Sequence, residues 1–154
     1  MDFDDKEWSN FYEKGLTYVR SSGMPSNNIK RFLRTLGLPV NAKQELLEDA
    51  YGLRNLIRVN IPPIVLYDRN YFFKHERGIG HAVVLVDQTQ EMFVSIDPSF
   101  EPKYIHKLPK TDFEEAWKLK GNATIIIYPK GYMIEERETP STTLMNFVEK
   151  GGRT

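Results

Sequence analysis

The periodicity of the apolar residues changes at Pro62-Pro63, and that change constrains the fold more than any other feature. Before it, apolar side chains recur at three- and four-residue steps, the signature of helices that each bury one stripe. Trp8, Phe11, Tyr12, Leu16 and Val19 define a first helix from about Asp5 to Ser22, closed by Gly23 and Pro25. Ser26 can cap a second helix carrying Ile29, Phe32, Leu33 and Leu36, with Gly37 ending it. Asn41 with Gln44 three residues later resembles a capping box and predicts a third helix through Leu46, Leu47 and Ala50, broken by Gly52 before Leu53, Leu56 and Ile57.

After the diproline, which favours extended backbone, short apolar runs dominate. Ile64–Tyr67, His81–Val86, Met92–Ile96 and Ala123–Tyr128 read as strands, the last apolar enough to lie inside the sheet. Thr111 with Glu114 predicts a capped short helix holding Phe113, Ala116 and Trp117, and Pro140-Ser141 a last helix with Leu144, Met145 and Val148 inward. Helices first and mostly antiparallel strands afterwards make an α+β layout. At 154 residues without a composition break, one domain spanning 1–154 is expected.

The strand pair at the centre yields the sharpest inference. A three-residue turn at Gln88-Thr89-Gln90 would make Asp87 and Glu91 partners, and that register sets His81 directly opposite Asp97 on one face. A carboxylate beside an imidazole fixes its tautomer and raises its basicity, the orienting half of many nucleophilic triads. The plainer reading is a strand-end histidine and an Asp-Pro turn. Gly78 and Gly80 just before His81 would let a substrate backbone approach closely. Tyr71 and Phe72 belong to an aromatic and basic stretch, 71–77, read as a loop that either anchors on the sheet or overhangs a groove.

Several chemistries are excluded or disfavoured. The chain has no cysteine, which removes thiolate metal sites and a thiol nucleophile. His75, His81 and His106 lack metal-ligand spacing, so no metal is expected, and Gly78-Ile79-Gly80 is too short for a phosphate or dinucleotide loop, so no cofactor is. The net charge of zero gives no pull toward nucleic acid. No apolar run is long enough to span a bilayer, and the acidic start Asp2-Phe3-Asp4-Asp5 is unlike a signal peptide, so a cytoplasmic protein is expected.

Gly-His-Ala-Val-Val-Leu-Val at 80–86 followed by Val-Ser-Ile-Asp-Pro at 94–98 resembles the bacteriocin-processing (double-glycine leader) cysteine peptidases, which are papain-like in fold. The spacing of 16 between His81 and Asp97, the segment Leu108–Trp117 and the apolar strand at 123–128 carry the likeness further, over roughly residues 5 to 129. Residues 130–154 fall outside it as a C-terminal extension. The resemblance implies a papain-like α+β fold with N-terminal helices packed on the sheet. It places the family's nucleophilic cysteine near Asn10, with Ser9 beside it, and its oxyanion-stabilising glutamine near Asp4 or Asp5. Neither part is present, and the surrounding Asp2, Asp4, Asp5 and Glu7 carry the wrong charge for a thiolate or an oxyanion.

The chain as written is therefore not a cysteine peptidase. The expectation is a degenerate peptidase-like domain that binds a peptide or protein partner in the former substrate groove. One alternative is a serine-dependent hydrolase or acyltransferase using Ser9 as nucleophile, His81 as base and Asp97 as orienter. Another is a purely structural or interaction protein.

Overall fold

The computed structural model describes residues 5–18, 26–97, 99 and 103–132. Before the diproline run α1 (Asp5–Leu16), α2 (Ser26–Thr35), β1 (Val40–Leu46) and α3 (Ala50–Arg58). After it come β2 (Ile64–Asp68), α4 (Arg69–Lys74), β3 (Gly80–Gln88), β4 (Met92–Ile96), β5 (Ile105–Pro109), α5 (Lys110–Lys118) and β6 (Ala123–Pro129). The strands form one sheet in the order β1-β6-β2-β3-β4-β5, and every neighbouring pair is antiparallel. Helices with an antiparallel sheet match the α+β expectation, and β6 lies inside the sheet as its apolar sequence requires.

Five local expectations are corrected. Residues 40–46 form a strand, not a helix: the Asn41/Gln44 spacing mimics a capping box, but pairing along the whole length of β6 overrides it. The helix that follows starts at Asp49, whose carboxylate accepts the Tyr51 N–H at 2.8 Å, and runs through Gly52 without a break. The stretch after Asp68 is not all loop, because Asp68 caps α4 by accepting the Tyr71 N–H at 3.0 Å. Helix α5 begins at Lys110 with no side-chain cap, so the Thr111/Glu114 box does not form. Helix α1 ends at Leu16, short of Ser22. Strand β5 is an addition the sequence reading did not contain. Val19, Gly23, Pro25 and the helix expected from Pro140 lie outside the described residues.

The core forms where α3 and α5 cover one face of β2–β5. Leu53 and Ile57 from α3 and Phe113, Ala116 and Trp117 from α5 pack on Val65, Tyr67, Val83, Leu85, Phe93 and Leu108. Each such large apolar side chain contributes roughly 1.5–3 kcal/mol by leaving water. Phe113 is central, with ring centroids 5.4 Å from Phe93 and 5.7 Å from Tyr67. The buried Trp117 indole N–H is satisfied by the Ala123 carbonyl at 3.2 Å, which ties α5 to the start of β6. This packing holds β2, β3 and β4 rigidly side by side. Among the described residues, no helix is long and apolar enough to cross a membrane.

Candidate functional site

The β3–β4 hairpin closes more tightly than its sequence implies. The Thr89 N–H reaches the Met92 carbonyl at 2.9 Å, and Gln88 pairs with Phe93, three positions from the expected register. An odd shift of this kind turns every side chain of one strand to the other face. A β-bulge reverses the effect. Asp87 pairs with Val94 but Leu85 pairs with Ser95, so Val86 is an extra residue on β3. Beyond the bulge the net displacement is two residues, and His81 and Asp97 again share the inner face. They are diagonal rather than directly opposite, since this register continues to place Asp97 across from Val83.

A diagonal pair has Cα atoms about 7–8 Å apart, a gap that a long side chain can bridge. His81 bridges it with its far ring nitrogen: Nε2 lies 2.9 Å from both Asp97 Oδ1 and Oδ2. Asp97 is buried, at 2% exposure, while the His81 side chain is about a quarter exposed at 23%. Burial alone would raise the Asp97 pKa. The Ser99 hydroxyl at 2.7 Å, the Ser99 N–H at 2.9 Å and His81 outweigh it, so the carboxyl titrates below its ordinary range. Asp97 is thus an anion at neutral pH, and an anion accepts. The hydrogen on Nε2 points at it, and Nδ1 is left with its lone pair or, in the cation, a second N–H. Among the described residues, Nδ1 has no hydrogen-bond partner.

Tyr67 of β2 completes the surroundings. It pairs directly with His81, and the two rings meet edge-on with centroids 5.8 Å apart. Burial, then the negative charge of Asp97, push the Tyr67 phenol up to about 12 against a smaller opposing effect of Arg69. It stays a neutral O–H. Neither Tyr67 nor Ser99 was singled out in the sequence. The Asp-Pro-Ser order at 97–99 carries a signal for Ser99, because aspartate commonly accepts from the backbone two residues on.

The remaining candidates make no bond to the pair among the described residues, or serve packing. Ser9 and Asn10 are exposed on α1, which packs against α2 at Gly15 and Phe32. No hydrogen bond or ion pair joins either of them to His81 or Asp97 among the described residues. The space beside Gly78 is filled by the protein itself, since a Cβ there would lie 2.5 Å from the Asn70 amide nitrogen. A Cβ on Gly80 would lie 3.1 Å from the Leu66 side chain. Tyr71 and Phe72 pack against the core, and the Phe72 ring meets Tyr67 edge-on. One surface cleft is lined by Arg69, Asn70, Phe73 and Lys74, and another by Arg54, Lys110 and Glu114 among others. Neither includes His81 or Asp97. No cluster of three metal-ligating side chains occurs among the described residues.

A second buried carboxylate supports the approach to the site. Asp68, at 1% exposure, accepts the Gly78 N–H at 2.9 and 3.0 Å and pairs with Lys120 Nζ at 3.0 Å. Lys120 also donates to the Gly78 carbonyl at 2.6 Å. This clasp fixes the turn that delivers the chain into β3 and hence to His81. Nothing local in the sequence links Asp68 with Lys120.

No family model matches the chain, and no curated protein matches it in sequence. Among solved structures it is similar to a crystal structure described as a C39-like peptidase from Bacillus anthracis. The TM-score is 0.55 at 18% identity, covering 70% of this chain and 60% of that one. The chain thus spans less than two thirds of that structure, and at this identity the likeness concerns the fold. This cysteine-free chain shares an α+β peptidase-like fold with a C39-like peptidase.

Proposed function

We propose that this is a catalytically degenerate papain-like peptidase domain that binds a peptide or protein partner along the face beside His81. The observation that carries the reading is an oriented imidazole that no nucleophile contacts by a hydrogen bond among the described residues. His81 is held by Asp97, which is held in turn by Ser99, in a chain without cysteine. The likeness in fold to a C39-like peptidase supports it. An imidazole in this state keeps one nitrogen to accept from, or donate to, a peptide group of a partner. Turnover would need a nucleophile within hydrogen-bond reach of that nitrogen and donors for an oxyanion.

The test is a screen of immobilised unstructured peptides against the purified chain, followed by titration of the best binder. His81→Ala and Ile79→Asp should each weaken binding about tenfold, the loss of one well-made contact, while the melting temperature holds. Unchanged binding in both variants overturns the proposal. Covalent labelling of Ser9 by a fluorophosphonate, abolished by His81→Ala, would replace it with the serine hydrolase reading.

A further inference from the structure

An antiparallel sheet with one solvated face ordinarily alternates apolar residues inward with polar residues outward. This sheet departs from that pattern. On the face away from α3 and α5, cross-strand pairing lines up Ile125, Ile64, Val84, Ile96 and Ile105 in a single row across β6, β2, β3, β4 and β5. Leu66 and Val86 flank the row, each 37% exposed, while Ile96 is 40% and Ile105 69% exposed. Helix α2 packs against β1, where Ala42 is buried, so its cover lies at the opposite end of the sheet from β5. Scattered apolar residues on a surface need no explanation, but a contiguous row does.

We propose that the open face over β2–β5 is the docking surface for the chain's own segment 141–150. Three features favour this occupant. The described chain runs to Tyr132, just past the end of β6, and β6 contributes to the row itself. Residues 133–140 reach roughly 26–29 Å when extended, whereas β5 lies only about 19 Å from β6 at four strand spacings. Segment 141–150 also has matching chemistry. Leu144, Met145 and Val148 fall on one side at helical spacing, Thr142, Asn146 and Glu149 fall away from them, and Gly151-Gly152 follows. Ten residues of helix are about 15 Å long, enough to cross three strands.

The absence of native cysteine permits a clean test in the full chain. Ile96→Cys is combined with Met145→Cys and exposed to mild oxidation. Lys118→Cys, exposed on α5 on the other side of the sheet, is combined with Met145→Cys as the control. Docking predicts a disulfide within one chain, forming about tenfold faster than in the control because the segment is held at high effective concentration. Equal rates overturn the proposal, and so do disulfides forming only between chains, which would make a second copy the occupant. Ile105→Cys replaces Ile96→Cys if the latter fails to fold. Leu144→Glu with Val148→Glu should also raise the binding of a hydrophobic dye several-fold, and unchanged dye binding counts against docking.

Discussion

Asp68 at the end of β2 and Asp97 just after β4 are both almost fully buried, yet they are neutralised in different ways. Asp68 is surrounded by partners that have nothing further to offer: the amides of Gly78 and Tyr71 and a lysine also bound to the Gly78 carbonyl. Asp97 takes its partners from Ser99 and from an imidazole whose second nitrogen has no hydrogen-bond partner among the described residues. A buried carboxylate is therefore not by itself a sign of function. What distinguishes the two is whether a partner retains chemistry after the carboxylate has been satisfied. Asp68 anchors the turn into β3, and Asp97 sets the direction of an imidazole that remains about a quarter exposed.

The comparison predicts a graded set of effects. The largest follows Asp68→Ala, which strips the acceptor from two amides and the counter-charge from Lys120. The melting temperature should fall by on the order of 10 °C, and a fall no greater than that of Asp97→Asn would erase the distinction. Next is Gly78→Ala. Its Cβ would overlap Asn70, costing about 1–3 kcal/mol as overpacking does. Asn70→Ala in the same chain should recover most of that loss in a double-mutant cycle. Asp97→Asn should cost only about 1–2 kcal/mol. Its larger signature is spectroscopic: the His81 ring nitrogens, observed by nitrogen-15 NMR, should lose their single preferred tautomer. Ser99→Ala is the mildest, below about 1 kcal/mol, and should leave that tautomer in place.

Acid separates the pair from the surface carboxylates. The Gly78 amide above all, against the opposing effect of burial and with help from Tyr71 and Lys120, lowers the Asp68 carboxyl from 3.8 to about 2. A group whose pKa falls on folding stabilises the protein above its unfolded value, and the contribution is lost as pH drops through the folded value. Stability from Asp68 is thus fully present above 3.8 and disappears between 3.8 and about 2. The stability gap between the unmodified chain and Asp68→Asn should narrow over that window. A gap that stays constant to pH 2 would show that the carboxylate is not what the clasp depends on.

The sequence exposes some of this architecture and conceals the rest for physical reasons. The apolar runs of β2, β3, β4 and β6 and the stripes of α2 and α5 are local patterns, and they match. Residues 40–46 misled because a spacing of three between Asn41 and Gln44 exists in a strand as well as in a helix, and only β6, more than 75 residues away, decides between them. The common face of His81 and Asp97 is legible. Their register is not, because the turn shifts the pairing by three positions and an unforeseen bulge takes back only one, restoring the common face but not the direct pairing. The Asp68–Lys120 clasp leaves no local trace, since each residue reads as an ordinary surface charge until the fold brings them together.

The bulge at Val86 has a consequence for how this hairpin tolerates changes in length. It is the one position between the turn and the imidazole where β3 can lose a residue without disturbing the pairs on the His81 side. Removing Val86, or adding one residue to β4 between Val94 and Ser95 to pair with it, would leave two well-paired strands with Leu85 still opposite Ser95 and with His81 and Asp97 still on one side of the sheet. Making both changes at once would slip the pairing by one residue and turn His81 and Asp97 to opposite sides. A single loss or gain at the bulge is therefore tolerated by the pair, whereas one between Leu85 and His81, or between Ser95 and Asp97, is not.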